Sequence, residues 1–89
     1  MSQAKDSLIE YPCAFPIKVM GAKAETLVDA LTLIAKQHDP DFDSAGIELR
    51  ESRGGNYLGV TLTVTATSRS QLDALYLALS THPMVKVVL

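Results

Sequence analysis

Apolar and polar positions alternate along this chain in two rhythms. Between Tyr57 and Ala66, the residues Leu58, Val60, Leu62, Val64 and Ala66 alternate with Tyr57, Gly59, Thr61, Thr63 and Thr65. A period of two held across ten positions specifies a strand with one buried face. The same rhythm, in shorter runs, predicts strands over Phe15–Met20, with Ile17 and Val19 on one side, and over Ile47–Ser52, with Ile47 and Leu49 on one side. Met84–Leu89 predicts a fourth strand. Pro12 and Pro16 are expected to confine regular pairing to the segment after Pro16, and Gly21 to stop the first strand. Between strands the rhythm changes to that of a helix. Leu27, Ala30, Leu31, Ile34 and Ala35 form one stripe over Ala24–Gln37, ended by Pro40. Leu72, Leu75, Tyr76 and Leu79 form another, opened by the capping-box sequence Ser68-Arg69-Ser70-Gln71 and followed by Pro83.

The order β-α-β-β-α-β, with right-handed crossovers, gives an α+β ferredoxin-like sandwich. Its four-stranded antiparallel sheet takes the order 4-1-3-2, with both helices on one face. Arg53-Gly54-Gly55-Asn56 supplies the hairpin turn between the second and third strands. The open face is expected to carry Lys18, Met20, Glu48, Arg50, Tyr57, Thr61, Thr63, Thr65, Lys86 and Val88. The edges differ. Glu48, Arg50 and Glu51 on the second strand are charges of the kind that discourage edge pairing. Val85, Val87 and Leu89 on the nearly apolar fourth strand are the expected interface of a homodimer or a protein partner.

With 89 residues there is room for one domain. Residues 1–12 are expected to be a flexible lead-in and residues 13–89 the folded domain. A net charge of −2 provides no general attraction to nucleic acid or anionic lipid. The lone cysteine, Cys13, excludes an internal disulfide and fits a cytoplasmic location. No apolar run reaches membrane-spanning length, and residues 1–10 lack the apolar core of a signal peptide.

The candidate chemistry is sparse. Asp39, Asp41 and Asp43 alternate beside His38, but the glycine and glutamate of a calcium loop are out of register, so a solvated acidic loop is expected. His38 and His82 fall at helix ends, and Cys13 has no partner at metal-ligand spacing. Neither a metal nor a cofactor is implied. The loop after the first strand lacks the arginine an acylphosphatase requires, and no enzyme activity is expected. An RNA-recognition domain would need further stacking aromatics beside Tyr57. Weak RNA binding through Lys18, Arg50, Arg53 and Lys86 on the open face is the alternative reading. Gly21, Ala22 and Lys23, between a strand and a helix N-terminus, are the expected contacts for a small anionic ligand.

Phe15-Pro16-Ile17-Lys18-Val19-Met20-Gly21, Gly55-Asn56-Tyr57-Leu58-Gly59-Val60-Thr61, Leu75-Tyr76 and Val85-Lys86-Val87-Val88-Leu89 together resemble the YbeD-like family, domain of unknown function 493. The resemblance covers nearly the whole chain from about Leu8. It implies a ferredoxin-like fold similar to ACT regulatory domains and a small bacterial protein without an established activity. ACT domains bind amino acids beside the loop after their first strand. Gly21 matches the glycine of that loop in role, while its Asp and Pro are missing here. The resemblance therefore implies a non-enzymatic regulatory or interaction module, acting on a small ligand or a partner protein.

Overall fold

The computed structural model describes residues 10–89. The expected lead-in lies mostly outside the described residues. The elements are β1 (Cys13–Ala22), α1 (Glu25–His38), a single 3-10 turn (Ser44–Gly46), β2 (Glu48–Glu51), β3 (Tyr57–Ala66), α2 (Arg69–Ser80) and β4 (Val85–Val88). The sheet order is β2-β3-β1-β4, all antiparallel, as the alternation predicts. Ile17, Val19, Leu58, Val60, Leu62, Val64 and Ala66 meet Leu27, Leu31, Ala35, Leu72, Leu75 and Leu79 in one buried cluster with Phe42. Both helices thus cover one face. No described helix is long and apolar enough to cross a membrane.

β1 is longer than its prolines suggest. Pairing with β3 begins at Cys13↔Ala66 and runs through Pro16↔Thr63 to Ala22↔Tyr57. The reason lies in the length of β4. Lys18 and Leu89 exchange backbone hydrogen bonds, and Ala22 N donates to Met84 O, so even-numbered amides of β1 point toward β4. Pro16 points the same way, past the last residue of β4, where no strand among the described residues requires its missing N–H. Gly21 consequently sits inside β1.

The β2–β3 hairpin closes as its turn sequence demands. Gly55 has φ +73°, Gly55 N donates to Ser52 O, and Ser52 N donates to Tyr57 O. Ser68 caps α2, accepting from Gln71 N at 3.0 Å. The return bond of the capping box goes one residue further back than expected, from Thr67 N to Gln71 Oε1 at 2.7 Å.

Candidate functional site

The Gly21–Lys23 segment is brought to the β1–α1 junction, but its amides are engaged. Ala22 N donates to Met84 O, and Lys23 N donates to Asn56 O. Lys23 Nζ reaches Glu51 Oε1 at 3.0 Å on the far side of the hairpin. Gly21 answers a packing demand. A Cβ there would stand 2.5 Å from Met84 O and about 3 Å from the Leu27 methyls. The glycine lets β4 and α1 close on β1.

The open face is as the register predicts over three strands. Glu48 lies beside Thr61, Arg50 beside Gly59, and Lys18 also beside Thr61. The fourth strand departs from expectation. Gly21 pairs with Val85 and Met20 with Val87, so Lys86 is the extra residue of a bulge. The bulge reverses the parity of β4. Val88 pairs with Val19 and packs against the core, whereas it was expected on the open face. Val87 takes the open face beside Met20, and Leu89 stands opposite Lys18. The three expected interface residues are therefore divided, with Val85 toward the helices and Val87 and Leu89 toward the open face.

Met20, Val87 and Leu89 are 43 %, 45 % and 74 % exposed, an apolar strip beside an edge with no further strand among the described residues. They border a shallow concavity of about 470 Å³ that runs across Gly59 and Thr61 to Glu48 and Arg50. Gly59 forms part of its floor, where the bare backbone admits the Arg50 carbonyl; a Cβ would lie 3.3 Å from it. Tyr57 is on this face and exposed.

The acidic loop divides by role. Asp39 is buried; its Oδ1 accepts from Asp41 N at 3.1 Å and its Oδ2 from Thr65 N at 2.9 Å. Asp43 caps the 3-10 turn through Ala45 N, and Asp41 is solvated. Gln71 Nε2 donates to His38 O and to Thr65 O, joining the same corner. Sequence reasoning missed Asp39 because its partner is 26 residues away. The histidines serve their helix ends, His38 Nδ1 against Ile34 O and His82 Nδ1 accepting from Met84 N. Among the described residues no group of three or more His, Cys, Asp or Glu could hold a metal ion. Burial raises the Tyr76 phenol above its ordinary value; its hydroxyl lies 3.5 Å from Leu89 O.

The fold places the chain among α+β ferredoxin-like domains. Within that class the chain belongs to the family described as "Protein of unknown function (DUF493)", whose model matches residues 6–89. A UPF0250 protein of Leptothrix cholodnii is 61 % identical over 85 residues, 96 % of this chain and 93 % of the relative. One from Bordetella pertussis is 59 % identical over the same shares. Among solved structures, protein HP0495 from H. pylori superposes with a TM-score of 0.77 at 17 % identity, covering 91 % of this chain and 85 % of that one. The C-terminal domain of the MgtC protein from Mycobacterium tuberculosis gives 0.61 at 25 % identity, covering 91 % and 87 %. The fold and the kinship expected from the sequence are thereby established.

Proposed function

We propose that this protein is a non-enzymatic regulatory module that holds an extended segment of a partner protein along β4. The observation that carries this reading is the contiguous strip of Met20, Val87 and Leu89 beside a strand with one free edge. Exposed apolar side chains next to unpaired backbone groups suit a segment that adds as a strand and lays apolar residues on the strip. Lys18, opposite Leu89, favours an acidic group at that end of the segment. An anionic ligand at Gly21–Lys23 is the weaker reading, since the Ala22 and Lys23 amides already have partners. RNA binding is weaker too, because Tyr57 shares its face of β3 with Gly59 and threonines and with no second ring.

Site-specific photo-crosslinking in living bacteria tests the reading. A photoreactive residue at Val87 or Leu89 should give a discrete protein adduct, and one at Lys36 on the outer side of α1 should not. Adding Met20→Glu should abolish the adduct. Equal adducts from Lys36, or none from Val87 and Leu89, would count against the β4 site.

A further inference from the structure

The opposite edge of the sheet carries a pattern that fits itself. Among the described residues β2 pairs only with β3, and all four of its residues are exposed. Ser52 N donates to Tyr57 O, and Ser52, Arg50 and Glu48 follow one another at a spacing of two. In an antiparallel ladder those alternate residues turn their N–H and C=O groups toward β3. Leu49 and Glu51 therefore turn theirs outward.

We infer that β2 pairs antiparallel with β2 of a second copy, about a two-fold axis through Leu49. In that register Leu49 of each copy donates to and accepts from Leu49 of the other. Glu51 N–H meets the Ile47 carbonyl of the second copy. The same register sets Glu48 directly opposite Arg50 of the second copy, and Arg50 opposite its Glu48. Both pairs lie on the open face, and opposite charges facing each other across strands are favourable. Within one chain neither Lys18, Glu48 nor Arg50 forms an ion pair among the described residues. Glu51, which would face Ile47 on the helix side, is already neutralised by Lys23 at 3.0 Å.

The helix side of the edge supplies apolar contact. Leu49 is 55 % exposed and lies beside a shallow depression walled by Val28, Thr32 and Ile47. The two-fold would bring both Leu49 side chains together above that depression. The charges that repel a generic strand thus select this strand's own copy. The product is a continuous eight-stranded sheet with all helices on one face and both β4 edges facing outward. It does not depend on the β4 reading.

Sedimentation equilibrium of the full chain tests the register. Wild type should show a concentration-dependent monomer–dimer equilibrium. Glu48→Arg or Arg50→Glu places like charges face to face twice, and should raise the dissociation constant at least about tenfold. The double exchange E48R/R50E rebuilds both pairs in reverse and should restore dimerisation to within about threefold of wild type. Circular dichroism establishes that each variant is folded; these exposed side chains have no contact whose loss would unfold the chain. A wild type that stays monomeric up to about 1 mM overturns the inference. So does a dimer indifferent to both single reversals, and so does a double variant no better than the singles.

Discussion

At the scale of single residues, the fold depends on two whose partners lie far along the chain. Asp39 ends α1, and its carboxylate finishes the edge of β3 where β2 has run out. Thr65 N would otherwise be left unpaired beside the core. Asp39→Asn turns an NH₂ toward one of two N–H donors, and should destabilise the chain by about 1–3 kcal/mol in urea unfolding. Asp41→Asn, at a solvated side chain, should stay within about 0.5 kcal/mol of wild type. Gly21→Ala forces a methyl against the Met84 carbonyl, which is backbone and yields poorly; about 1–3 kcal/mol should be lost. The two residues were unequally legible. Gly21 stood out as a glycine between strand and helix, but its close neighbour is 63 residues away. Asp39 was hidden among alternating acids. Its burial follows from the unequal lengths of β2 and β3, which no local window contains.

At the scale of elements, period-two alternation carried most of the architecture. β3 begins and ends where its rhythm does, and the sheet order follows from the sequence of elements. Parity was legible only as long as the ladder stayed regular. The bulge at Lys86 depends on how Gly21 and Met84 approach each other, so the face of Val88 could not be read from β4 alone. The length of β1 likewise depended on where β4 stops. The start of α2 was read correctly from Ser68, yet Gln71 does more than cap. It joins α2 to the ends of α1 and β3 through His38 O, Thr65 O and Thr67 N. Ser68→Ala should therefore cost about 1 kcal/mol, the value of an N-cap. Gln71→Ala should cost more, about 1–3 kcal/mol, because it orphans groups on two other elements. Denaturant titrations of both variants check the order.

At the scale of the whole molecule, one sheet face makes the core and the other is left open, so side-chain parity separates packed from exposed positions. Tyr76 stands where they meet, on α2 and against the end of β4. Its phenol is held above the ordinary tyrosine value in the folded chain, because burial disfavours the phenolate. Below the unfolded value both states keep the proton, and Tyr76 adds no pH dependence. As pH rises past about 10 the unfolded chain loses that proton first, and the native chain holds more protons than the unfolded one. Stability must then fall with pH until the folded phenol has also ionised. Tyr76→Phe removes the proton and keeps the ring. The difference in unfolding free energy between wild type and Tyr76→Phe should be flat from about pH 6 to about pH 9 and should move against wild type above about pH 10. A difference that stays flat throughout would place the phenol in water. The helix that braces β4 would then stand further from that strand than the 3.5 Å contact with Leu89 requires.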